Sequence, residues 1–309
     1  MRQGPTDKFV ASDFLHAKFW PTWIVIGFLR LISMLPYRVQ LVVGKWLGKL
    51  IQVAPRSRQD VVDTNLGHCF PELSDDERRE IRNQCYKNIG ILVLELSMCW
   101  WWSETRLKQM VEIRGREHID AVLASGRGVI LLTGHFSTLE IGARLLALFM
   151  PVQVMYRTQK NLLFDRYLYS KRTSYFVQAV SRKNSRKLIK GIKNQILTWY
   201  APDQDFRAER NVFASFMGIP AATITASSRL ARSSNAAMLP FYPERKADGS
   251  GYILRVEPPL ENFPSDDDQA DAAKINTSIE KFIREHPDYY MWIHKRFRTR
   301  PPGEASFYL

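Results

Sequence analysis

At 309 residues, with 45% hydrophobic and 24% charged side chains, the chain has a globular composition rather than a disordered one, and room for one large α/β domain or two small ones. Lys and Arg number 44 against 31 Asp and Glu, a net charge of +13 that favours a polyanionic partner without choosing among nucleic acid, anionic lipid headgroups, a phosphorylated glycolipid and an acidic carrier protein. Cys69, Cys85 and Cys99, an odd number with no CxxC pair, argue against a disulfide framework and a zinc site and read as buried thiols.

From Phe19 to Leu35 the chain is apolar apart from Arg30 and a few small polar residues. That is close to the roughly 20 residues that cross a bilayer. A mid-membrane arginine costs about 2.5–3.5 kcal/mol, but Arg30 stands near one end, where it can snorkel. Trp20, Trp23 and Tyr37 flank the run as interfacial aromatics do, so a single-pass anchor is expected here, with a helix lying in the interface as the alternative. No small-x-small cleavage site follows, which argues against a removed signal peptide. Residues 36–55 read as an amphipathic helix with Lys45, Lys49, Arg56 and Arg58 near it, a membrane-surface element or an ordinary solvated helix. The organisation expected is an N-terminal membrane segment over 1–55 and a catalytic domain over 56–309.

Ser74-Asp75-Asp76-Glu77 caps a long helix ending at Trp100-Trp101-Trp102. Three consecutive tryptophans cannot share one face, so they mark a bulky core corner or an apolar surface. Beyond Met110, strands are expected at 111–114, 128–133, 152–156, 196–200, 237–242 and 252–256. Helices are expected at 116–125, 138–149, 161–175, 184–194, 222–233 and 268–286. This alternation gives an α/β fold with a mostly parallel central sheet flanked by helices.

The segment Gly128-Val-Ile-Leu-Leu-Thr-Gly-His135-Phe-Ser-Thr-Leu-Glu140 reads as a buried strand, a glycine turn and a helix start. Loops at the carboxyl ends of sheet strands are where such folds place their sites. On one helix His135 and Glu140 would diverge by roughly 140°. They meet only if His135 precedes the helix and Glu140 lies in its first turn, with Ser137 as N-cap. Glu140 would then orient His135 as a base. The competing reading is a capping box, Ser137-x-x-Glu140, in which Glu140 only satisfies a backbone donor. Neither HExxH nor HxxEH is present to suggest zinc.

Gly134-His135-Phe-Ser-Thr-Leu-Glu140 resembles the His-x4-acid motif of glycerolipid acyltransferases and, more closely, the late acyltransferases of lipid A of Gram-negative bacteria, with Glu140 nearest the lauroyltransferase-like branch. Tyr156-Arg157, Arg172, Trp199 through Asp203-Gln-Asp205, and the run from Tyr290 through His294 to Arg300 agree in order and spacing over nearly the whole chain. The resemblance implies an O-acyltransferase moving a fatty acyl chain, lauroyl or similar, from acyl carrier protein to a hydroxyacyl chain of a lipid A precursor (Kdo-modified lipid IVA) in lipopolysaccharide biosynthesis. It implies an inner-membrane location with the catalytic domain facing the cytoplasm, inner membrane lipids as further partners, no cofactor, no metal and no nucleic acid. By carry-over, His135 is the general base and Glu140 its orienter. Arg172 serves the oxyanion or holds substrate, Asp203 organises Arg172 or the acceptor, and Arg157 binds a glucosamine phosphate. The basic run Lys295-Arg296-Phe-Arg298-Thr-Arg300 contacts phosphates or the acidic carrier, and an apolar groove is expected beside His135. The alternatives are a glycerophospholipid or other glycolipid acyltransferase with the same His–acid pair, a membrane scaffold, and a basic nucleic-acid-binding protein. Against the last stand the apolar N-terminus and the lack of an RNP, zinc-finger or helix-turn-helix signature.

Overall fold

A computed structural model describes residues 9–53, 56–206 and 211–308. The strands are β1 (Val111–Arg114), β2 (Gly128–Leu132), β3 (Val152–Tyr156), β4 (Gln178–Ser181), β5 (Leu197–Tyr200), β6 (Asn211–Phe216), β7 (Ile219–Ile224), β8 (Ala236–Arg245) and β9 (Tyr252–Val256). Seven of them form one sheet in the order β1-β9-β8-β2-β5-β3-β4. The strands from β8 to β4 run parallel, while β9 is antiparallel to β8 and carries β1 parallel to itself. The mostly parallel sheet expected from the alternating pattern is therefore present. β2 is buried along its whole length, which explains its unbroken apolar run. Val129 and Leu131 enter one core layer, Ile130 and Leu132 the other.

All six expected strands form, within a few residues at their ends. β4 and the β6–β7 hairpin were not expected. The hairpin turns at Met217-Gly218, both in the left-handed region, a two-residue turn written without the usual Asn-Gly. Its second strand takes residues 222–224 from the helix expected there.

The helices are α1 (Trp20–Ile32), α2 (Tyr37–Val53), α3 (Arg56–Cys69), α4 (Asp75–Trp101), α5 (Glu104–Lys108), α6 (Arg116–Ala124), α7 (Leu139–Leu146), α8 (Leu162–Tyr175), α9 (Ser185–Lys193), α10 (Ala226–Ser234) and α11 (Asp268–Glu285). The Ser74 cap is formed as expected, with the Ser74 Oγ accepting from Glu77 N and Glu77 accepting from Ser74 N.

The membrane-crossing anchor expected over Phe19–Leu35 is not found. No helix among the described residues is long and apolar enough to cross a membrane. α1 has 13 residues, about 20 Å against a hydrocarbon core of roughly 30 Å. It ends in a turn before Pro36, because the residue preceding proline is pushed out of the helical region. Leu29 and Ile32 are buried in the protein core, whereas Ile24, Val25, Phe28 and Leu31 are exposed. Arg30 is met by the protein, donating to Ser33 Oγ at 3.2 Å and lying 5.8 Å from the Trp101 ring. Trp100 and Trp102 are buried, so the tryptophan run is a core corner. Trp100 meets Tyr167 edge-on, and Trp102 donates to Ser33 O at 2.7 Å.

α2 has two distinct faces. Tyr37, Gln40, Gly44 and Gly48 are buried, while Val39, Val42, Trp46, Leu50 and Val53 form an exposed apolar stripe. The buried face crosses α4 so closely that a Cβ on Gly90 would collide with the Gly44 carbonyl, and one on Gly48 with the Tyr86 carbonyl. Backbone cannot yield as a flexible side chain does. Gly90→Ala should therefore destabilise the chain by about 1–3 kcal/mol or more, read as a lower denaturant midpoint. An unchanged midpoint would contradict this crossing.

Candidate active site

His135 and Asp203 leave the carboxyl ends of neighbouring parallel strands, β2 and β5, and Arg157 leaves the end of β3 on the other side of β5. Strand order alone thus gathers three residues far apart in the chain. His135 Nδ1 lies 2.6 Å from Asp203 Oδ1, and the His135 backbone N–H donates to Oδ2 at 2.9 Å. Asp203 has no exposed side-chain surface, whereas His135 keeps a fifth of its own. Burial alone would raise the Asp203 carboxyl. The adjacent imidazole, with its ring and backbone hydrogen bonds, outweighs that and holds the group well below the usual carboxylate range. An ionised Asp203 accepts from Nδ1–H, which leaves Nε2 with its lone pair toward the cavity.

Glu140 stands where the sequence placed it, in the first turn of α7, with His135 ahead of the helix. The two side chains nevertheless make no hydrogen bond to each other. Arg172 from α8 donates to both Glu140 oxygens, through Nε at 2.9 Å and through Nη2, and the Tyr175 hydroxyl donates at 3.2 Å. The fork of a guanidinium satisfies a buried carboxylate in a way that a single imidazole nitrogen does not. His135 is held away by its contacts to Asp203 and by Met291 N–H donating to His135 O at 2.9 Å. Of the two roles expected of Asp203, toward Arg172 or toward the acceptor, the first is corrected likewise, since its oxygens bond His135 and the Tyr290 hydroxyl. The capping box is absent too. The N-cap is Thr138, with no side-chain capping bond.

Ser137 instead belongs to a support that sequence reasoning missed. Arg245 at the end of β8 forms a forked pair with Glu95 of α4 at 2.7 and 2.8 Å. The same guanidinium donates to Ser137 O at 3.1 Å and Ser137 Oγ at 3.2 Å. Both members are nearly fully buried. The pair is 150 residues apart in sequence, and no local spacing announces it.

Two adjoining cavities lie at this end of the sheet, and His135 lines the first of them. One, of about 460 Å³, is lined by His135, Leu139, Met155, Trp199, Phe206, Ile224 and Arg172 among others, and supplies the expected apolar groove. The other, of about 850 Å³, is polar and carries Arg58, Arg157, Lys295 and Arg298 with Asp60 and Asp205. Arg157 and Gln204 line both. The basic run after His294 divides: Lys295 and Arg298 face this cavity, but Arg296 is buried and donates to Ala222 O at 2.8 Å and Thr223 Oγ1 at 3.1 Å. Arg296 therefore holds the β6–β7 hairpin and is not available to a phosphate.

His294, on the wall of the polar cavity, has its ring 5.7 Å from that of His135. Burial pushes it down from 6.5 to about 4. The unfolded chain takes up this proton near pH 6.5 and the folded chain only near pH 4. Stability is therefore expected to fall as pH drops through that window, by about 3 kcal/mol in all. Unfolding midpoints at pH 7 and 4 measure it, and His294→Asn should flatten the dependence. An equally steep dependence in that variant would place the titrating group elsewhere.

The description "Bacterial lipid A biosynthesis acyltransferase" belongs to the family model that matches residues 8–299. The chain is 40% identical over 299 residues to the lipid A biosynthesis lauroyltransferase of Escherichia coli strain K12, covering 96% of this chain and 98% of that one. It is 35% identical over 306 residues to the palmitoleoyltransferase of the same strain, covering 99% of each. A lipid A biosynthesis acyltransferase of Haemophilus influenzae is 34% identical, covering 93% of each. With a histidine held by a buried carboxylate at the end of a parallel strand, and this likeness along its whole length, the chain belongs to the bacterial lipid A biosynthesis acyltransferases.

Proposed function

We propose that the enzyme transfers a lauroyl or similar chain from the thioester of acyl carrier protein to a hydroxyl on a hydroxyacyl chain of a lipid A precursor. The observation that carries this reading is the His135–Asp203 pair, with His135 lining an apolar groove that shares Arg157 and Gln204 with a cationic cavity. His135 Nε2 takes the proton of the acceptor hydroxyl as its oxygen attacks the thioester carbonyl. Asp203 stabilises the imidazolium that forms. Arg172, anchored by Glu140, offers its remaining N–H groups to the developing oxyanion. The C–S bond then breaks, and the imidazolium returns the proton to the leaving thiolate. The ester and the free carrier thiol are the products. Fatty tails suit the groove, and Arg157, Lys295 and Arg298 suit the phosphates of a glycolipid headgroup.

The same reading places the enzyme at a membrane surface. The exposed apolar residues of α1 and the stripe on α2, flanked by Arg38, Lys45 and Lys49, form an amphipathic surface that lies in an interface without crossing it. Mass spectrometry of a lipid A precursor incubated with enzyme and acyl-carrier thioesters of several lengths tests the reaction. The product should be heavier by one acyl group, with the dodecanoyl donor preferred. Acylation of glycerophospholipid acceptors with the lipid A precursor untouched would overturn the acceptor assignment.

A further inference from the structure

We infer that the exposed face of α9 is the docking surface for an acidic protein that carries the acyl chain as a thioester. This rests on the carrier-protein donor proposed above and adds where that donor sits. The sequence has no Asp or Glu between Asp165 and Asp203. Within that stretch Arg182, Lys183, Arg186, Lys187, Lys190 and Lys193 are all exposed, while Leu188 and Ile192 turn inward to the sheet. Like charges three and four residues apart disfavour a helix, so this face works against its own local stability. Several surface cations elsewhere are paired with carboxylates, as in Arg78–Asp75, Arg79–Asp76 and Lys281–Glu257. Among the described residues the six cations at α9 form no such pair.

Position gives the basic face its meaning. Met155, Arg182, Tyr200 and Arg229 line both the groove at His135 and an adjoining cavity of about 340 Å³. That second cavity reaches Ser185, Leu188 and Ile189 of α9, so the shared lining marks a path from the basic helix toward the groove at the imidazole. A protein seated on α9 can feed a tethered acyl chain along it. α9 also lies across the sheet from the apolar helices. Leu188 and Ile192 pack with Ile130 and Leu132, whereas Leu29, Ile32 and Tyr37 pack with Val129 and Leu131. The charge therefore faces away from the surface suited to lipid and fits an acidic protein in water.

The test uses the triple charge reversal Arg186→Glu, Lys187→Glu and Lys190→Glu, all remote from the imidazole. Fluorescently labelled acyl carrier protein is titrated with wild type and variant at several salt concentrations, and steady-state acylation is measured with the acyl-loaded carrier. Wild-type affinity should weaken as salt rises. The variant should bind at least tenfold more weakly, with KM for the carrier donor raised to match and kcat at saturating donor within twofold of wild type. Unchanged affinity and KM in the variant would overturn the surface while leaving the donor in place. Affinity lost for phosphatidylglycerol vesicles, with carrier KM unchanged, would make α9 a lipid contact and overturn it as well. Wild-type enzyme that takes no acyl group from the carrier at any concentration would remove the donor reading itself, and this surface with it.

Discussion

His135→Ala should lower the turnover of precursor acylation by about a hundred- to ten-thousand-fold, with the fold intact. Nε2 is the one atom of the His135–Asp203 pair that faces the cavity with an unshared electron pair, so removing the ring removes the proton acceptor. His294 does not replace it, although its ring is only 5.7 Å away. It belongs to the wall of the polar cavity, and burial makes it a poor proton acceptor there. Turnover in single-cycle assays separates this loss from any change in lipid binding. Wild-type turnover in His135→Ala would remove the base from the mechanism.

Glu140→Ala is expected to cost about 3–5 kcal/mol of stability, because it leaves the buried Arg172 guanidinium without its counter-ion. Glu140→Gln keeps the shape and part of the hydrogen bonding, so its cost should be smaller. The double replacement Glu140→Leu with Arg172→Met should restore most of the stability, since a buried pair replaced by apolar groups of similar size is often neutral. Activity should stay low in every member of this series, because the arginine proposed to meet the oxyanion has lost its anchor or is gone. Thermal midpoints with parallel turnover measurements make the comparison. If Glu140→Gln lost activity with no change in midpoint, and Arg172→Met kept its activity, Glu140 would be acting on the histidine after all.

Much of the fold was legible because the parallel strands are buried on both faces. Val129 to Leu132 reads as an apolar run bounded by turns, Val152 to Tyr156 as a short β-rich run, and the intervening helices kept their own period. The β6–β7 hairpin was not legible. Its strands are alanine-rich and include Pro220, and its Met217-Gly218 turn carries a weak signal. The apolar run 19–35 was legible as apolar but not as divided. Which of its residues face inward and which face outward depends on the packing of Leu29 and Ile32 with Leu94, Met98 and Trp102, a tertiary feature.

The site was legible as a set and misread as pairs. Spacing places His135 and Glu140 correctly at a strand-to-helix bend, but spacing does not say which way each side chain turns. That is decided by Asp203 and Arg172, brought in from β5 and α8 by the strand order. His294 and the Glu95–Arg245 support were invisible for the same reason. Their partners are distant in sequence, and only the assembled sheet makes them neighbours.

The central claim is that Asp203, and not Glu140, fixes the imidazole that removes the acceptor proton. The most direct measurement is kcat for Asp203→Asn with a saturating lipid A precursor. An asparagine keeps the size of the group but loses the charge that stabilises the imidazolium, so kcat should fall by about a hundredfold or more with KM for the precursor nearly unchanged. A variant turning over at the wild-type rate would contradict the account.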